Sequence, residues 1–167
     1  LPIFYETAHA ELASALEMLA ACKGTNSPKQ AFGYFMHAKD EYNHARSFFK
    51  MLSVRGKRAS IKTARDFRFT APSLITKGYI SNKGFLIDIM KLKDFIAFVY
   101  TNELLAKSSF ENILNLVGRN TEEGKIISSI MKEELRHHGM AKKHFLNHYP
   151  ALQPWQLMIY RTRETIK

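Results

Sequence analysis

The sequence predicts an all-α protein of four long helices with an extended crossover between the second and the third. Three observations lead there. Apolar residues recur at three- and four-residue spacing along four stretches of the chain. Glycine, proline, serine and threonine gather at the joints between those stretches. One joint, residues 55–84, is far longer than two antiparallel neighbours need, so helices two and three are expected to run parallel.

The first helix is expected from Pro2 to Lys23, with proline near its start and Gly24 just past its end. Its core stripe reads Phe4, Ala8, Glu11, Leu12, Ala15, Leu16, Leu19 and Cys22, with Glu6 and Glu17 on an alanine-rich flank. Thr25-Asn26-Ser27-Pro28 is a turn with a capping serine. The second helix then runs from Pro28 to about Val54, closed by Gly56, with Tyr34, His37, Glu41, His44, Phe48 and Met51 on one face.

The crossover, 55–84, carries Arg55, Lys57, Arg58, Lys62, Arg65, Arg68, Lys77 and Lys83 against Asp66 alone, and has room for a short helix around 73–80. A third long helix is expected from Phe85 to Val117, its stripe being Leu92, Ile96, Val99, Glu103, Ala106, Phe110 and Ile113. In the joint that follows, Asn120 and Glu123 have capping-box spacing. The fourth helix continues to about His148, and 149–167 is a basic tail with Trp155. The whole, 1–167, has the length of a single domain.

Composition narrows the chemistry. Twelve Phe and seven Tyr in a chain that is 46% hydrophobic argue against disorder. Cys22 is the one cysteine, so no intrachain disulfide, thiolate zinc site or iron–sulfur cluster can be built. That suits a reducing, cytoplasmic location. No leader pattern is visible, although the sequence begins at Leu1 rather than Met and leaves room for a preceding segment. The most apolar run, Phe95 to Tyr100, is too short to span a bilayer. A net charge of +10 favours anionic partners such as RNA, a membrane surface or an acidic redox protein, and equally serves solubility.

Glutamates inside apolar stripes are the anomaly. Glu41-x-x-His44 and Glu134-x-x-His137 each put a carboxylate and an imidazole on one helix face. A lone Glu precedes each pair at similar depth in a helix hairpin: Glu11 lies 30 residues before Glu41, and Glu103 lies 31 before Glu134. Buried carboxylates are costly unless a cation compensates them. Four carboxylates and two imidazoles suit two divalent first-row ions bridged by two of the glutamates, and leave the core neutral. Tyr100 and Lys107 flank Glu103 on its own face and are the polar groups expected nearest the metals. Asp40 and Glu133 are candidate orienting partners for His137 and His44. His37 and His9 are further candidates for that supporting role, whereas His138, His144 and His148 read as solvent-facing or aromatic-packing residues.

These six positions resemble the ferritin-like diiron carboxylate superfamily, whose pattern is Glu, Glu-x-x-His, a crossover, Glu, Glu-x-x-His. The likeness spans Phe4 to His148. It implies an up-down-down-up four-helix bundle, with Glu11, Glu41, His44, Glu103, Glu134 and His137 as iron ligands. Classical ferritins lack the histidine that His137 supplies, and the four-cysteine module of rubrerythrins has no counterpart here. The Glu133-Glu134-Leu135-Arg136-His137-His138 run looks more like the small diiron hydroxylases acting on demethoxyubiquinone or on modified tRNA adenosine.

The resemblance implies an O2-activating non-haem diiron oxidoreductase, a hydroxylase or oxidase of an organic substrate. Tyr100 and Lys107 are its catalytic candidates, and manganese or a mixed Mn/Fe pair would accept the same ligands. Electrons would come from a partner reductase, since no flavin or nicotinamide motif is present. Two other readings stay open. One is a ferroxidase or rubrerythrin-like peroxide scavenger, for which iron storage would require a hollow oligomer. The other is a non-catalytic, basic nucleic-acid-binding module with a structural metal site.

Overall fold

A computed structural model describes residues 2–56 and 71–149, with backbone alone at 55–56 and 71–73. The all-α expectation holds: the described residues form six helices and no strand. They belong to two compact units, 1–89 and 90–167.

In the first unit α1 (Pro2–Gly24) and α2 (Pro28–Gly56) form an antiparallel hairpin. Phe4, at the start of α1, meets Phe48, near the end of α2, edge to face at 5.8 Å, and both are buried. The turn is built as expected. Ser27 Oγ accepts from the Gln30 N–H at 3.4 Å, and Pro28 occupies the first helical position, where no N–H is needed. Gly24 ends α1 as its last helical residue without the left-handed φ that Gly78, Gly84 and Gly118 adopt.

The lower half of the α1 stripe differs from expectation. Leu16 and Cys22 are half-buried and Leu19 is exposed, while Glu17, Met18 and Ala21 are buried. The cause is that α1 packs against α3 (Ala71–Thr76) and α4 (Leu86–Ile89) as well as α2, so its buried face turns with the helix. The short crossover helix is likewise displaced, to 71–76. It closes in a Schellman motif: Tyr79 N–H donates to Leu74 O at 2.9 Å and Gly78 N–H to Ile75 O at 3.0 Å, with Gly78 at φ 79°. Residues 57–70, most of the basic crossover, lie outside the described residues, as does the tail from 150.

The third long helix is interrupted. Instead of running unbroken from Phe85, it is split into α4 and α5 (Leu92–Val117), with Lys91 extended at φ −66°, ψ 144°. No glycine or proline marks this break. At the start of α4, Glu17 Oε2 accepts from the Leu86 N–H at 2.8 Å and ties that helix to α1, while α5 begins the second unit.

In that second unit α5 and α6 (Glu122–His148) form another antiparallel hairpin. Tyr100, early in α5, stacks on Phe145, late in α6, at 5.1 Å, and Phe145 stacks on Tyr149 at 4.7 Å. Ile96, Ala97, Leu104 and Ala141 complete this cluster. The α6 cap is Thr121, one residue beyond the expected Asn120. Its hydroxyl accepts from the Gly124 N–H at 2.9 Å and donates to Gly118 O at 2.8 Å, because Gly118 at φ 85° brings its carbonyl under the first turn. In the α5 stripe Ile96, Glu103, Phe110 and Ile113 are buried as expected, but Leu92 is exposed.

Candidate metal centre

The first unit carries its candidate ligands on two helices. His37, Glu41 and His44 occupy successive turns of one α2 face, and Glu11 comes from α1; all four are buried. Glu11, Glu41 and His44 each offer a ligand atom within 4.8 Å of the others. His44 Nδ1 lies 3.2 Å from Glu11 Oε2 and 3.9 Å from Glu41 Oε2. A carboxylate only accepts, so the Nδ1–H of His44 donates to Glu11 in the metal-free protein. Coordination through Nδ1 requires that proton to shift to Nε2 or to leave the ring.

The second unit repeats the arrangement. Glu103 of α5 and Glu134 and His137 of α6 are buried, at 5%, 2% and 2% exposure, a depth at which carboxylates need a positive partner. His137 Nδ1 stands 3.8 Å from Glu134 Oε2, within 0.1 Å of the separation in the Glu41–His44 pair. Glu103 and His137 also present ligand atoms within 4.8 Å of each other. Each unit therefore gathers a lone glutamate and a Glu-x-x-His pair, as their spacing predicts. Each contributes two carboxylates, the charge of one divalent ion.

No protein-family model, curated protein or solved structure matches the chain. The donor set is therefore the chemical evidence. Carboxylate oxygen and imidazole nitrogen, without sulfur, suit iron, manganese or zinc, and a buried cluster of this composition can hold a metal ion.

The residues around the triads fall into place unevenly. Tyr100, one turn before Glu103, is buried and stacks on the His138 ring at 5.4 Å. Lys107, one turn after Glu103, is exposed. Burial holds the His138 pKa below the ordinary histidine range, and the charges of Lys142 and Lys107 lower it further. Asp40 is buried and Glu133 half-buried. His9 sits elsewhere: Nδ1–H donates to Tyr5 O at 2.8 Å, and the ring stacks on Tyr79 at 5.5 Å. His144 and His148 meet edge to face at 5.0 Å, as packing residues do.

His37 is the residue whose importance its sequence position understates. Its Nε2–H donates to Glu41 Oε1 at 2.9 Å, on the oxygen that does not face His44. The signal was present as His-x-x-x-Glu-x-x-His, three residues on one helical face.

Proposed function

We propose that the two carboxylate–imidazole triads serve one dinuclear metal centre in a ferritin-like, up-down-down-up bundle, and that the protein is an O2-activating non-haem diiron hydroxylase or oxidase. The observation that carries this reading is the duplication itself. Two units each bury a lone Glu beside a Glu-x-x-His pair, with matching Glu–His separations of 3.9 and 3.8 Å. Chance glutamates at a core boundary have no reason to recur in that form.

Bound iron would supply redox chemistry toward O2. Carboxylate ligands favour it, because they stabilise higher oxidation states and move between terminal and bridging coordination. The chain's own part is to fix the ligands on rigid helices and exclude water with Phe48 and Phe110, both buried. Tyr100 places a buried aromatic ring one turn from Glu103. Electrons come from a separate reductase, and the net charge of +10 favours an acidic one.

The test is anaerobic loading with Fe(II), followed by O2 with uptake and optical absorption recorded. Consumption of O2 that accelerates with a bound organic compound supports the hydroxylase reading. Release of ferric mineral without any organic substrate replaces it with a ferroxidase. A Glu134→Ala protein that takes up iron and O2 as well as the parent removes both.

A further inference from the structure

We propose that His37 is a seventh protein ligand of this centre, so that the first unit is richer in nitrogen than the second. The proposal rests on the dinuclear reading above and concerns only side chains within the first unit.

Glu41 is engaged at both oxygens. Oε1 lies 2.9 Å from His37 Nε2, and Oε2 lies 3.9 Å from His44 Nδ1. Two donors bound at about 2.1 Å and at a right angle on one ion sit about 3 Å apart. The His37–Glu41 contact therefore has the span of adjacent ligands, as does the Glu11–His44 contact at 3.2 Å. Glu11 and His44 would hold an ion at Glu41 Oε2, and His37 would hold one at Oε1, the oxygen to which its Nε2–H now donates.

An N–H directed at a cation is repelled, so His37 must answer the metal. Swinging the ring away is costly, since it is 8% exposed and packed on the core face of α2. Moving the proton from Nε2 to Nδ1 is the easier course. The ring stays neutral, Nε2 presents a lone pair, and the second ion gains a nitrogen ligand in place of a lost hydrogen bond. His37, Glu41 and His44 then form a tripod on three successive turns of one helix.

The experiment uses the full chain loaded anaerobically with Co(II), whose bound imidazoles give strongly shifted N–H proton resonances. The parent and His37→Gln are compared, glutamine being able to donate to Glu41 while replacing the imidazole. Circular dichroism confirms that both fold. The expected result is a shifted imidazole resonance present in the parent and missing in His37→Gln. Affinity for the second ion falls by more than the roughly 10- to 100-fold cost of losing an outer hydrogen-bond partner. An unchanged set of shifted resonances in His37→Gln overturns the assignment while leaving the dinuclear centre standing. A parent chain that binds no Co(II) overturns both.

Discussion

Glu17 Oε2 receives the backbone N–H of Leu86 at 2.8 Å across 69 residues of chain. This contact satisfies the first N–H of α4 and holds the start of that helix against α1. It also places an acid in a poor setting. Burial raises the Glu17 pKa above the ordinary glutamate value; the Leu86 N–H opposes that shift and the charge of Asp88 adds to it.

Stability should follow that shift. A carboxyl whose folded pKa is raised favours the folded state when protonated. Its contribution is complete below the unfolded glutamate pKa and is lost as pH rises through the higher folded value. Glu17→Gln keeps an oxygen for Leu86 and removes the charge. The variant is expected to melt with the parent at low pH and above it at neutral pH. Parallel melting curves across the whole pH range would contradict this account.

Two glycines of α6 should respond to alanine with opposite signs. A Cβ on Gly124 would stand 2.1 Å from Gly118 O and 3.0 Å from the Arg119 backbone, and neither atom can move without opening the Thr121 cap. Gly139 has open space around its Cβ position. Gly139→Ala should stabilise by about 1 kcal/mol through helix propensity. Gly124→Ala should destabilise by about 1–3 kcal/mol from overpacking. Urea denaturation of both variants measures the contrast directly.

What could be read from the sequence was whatever depends on spacing within one helix. Glu41–His44 and Glu134–His137 needed only the three-residue offset, and both pairs stand within 0.1 Å of each other in geometry. The position of Glu11 beside His44 needed a short turn and equal depth, both visible around Pro28. Features set by distant contacts were hidden. Nothing in the sequence near Met90 announces the break between α4 and α5, and nothing around Glu17 announces its contact with Leu86. Leu19 looked like core and is exposed, since the face of α1 that is buried depends on where α3 and α4 dock. The cap moved from Asn120 to Thr121 because Gly118 sets the geometry of the whole turn.

Phe145 anchors the open end of the α5–α6 hairpin, with Tyr100 on one side and Tyr149 on the other. It is 1% exposed, whereas Leu116 of α5 is 72% exposed. Phe145→Ala should cost about 3–5 kcal/mol and Leu116→Ala no more than about 0.5 kcal/mol. Equal losses in chemical denaturation would mean that the second unit is not packed in this way.

The metal-ligand glutamates should trade stability for binding. In the metal-free chain the Glu134 side chain is 2% exposed and lies 3.8 Å from the imidazole of His137. Replacing it with glutamine removes a buried acid at nearly constant volume, and the metal-free protein should gain about 1–3 kcal/mol. The same change removes a ligand. Adding a divalent ion at a hundred times its Kd should stabilise the parent by about 2.7 kcal/mol and Glu134→Gln by much less. Thermal melts of both proteins, with chelator and with Fe(II) or Mn(II) under anaerobic conditions, give the four values needed. A Glu134→Gln protein that is less stable than the parent in chelator, yet equally stabilised by metal, would show that this carboxylate holds the helices together and binds no ion.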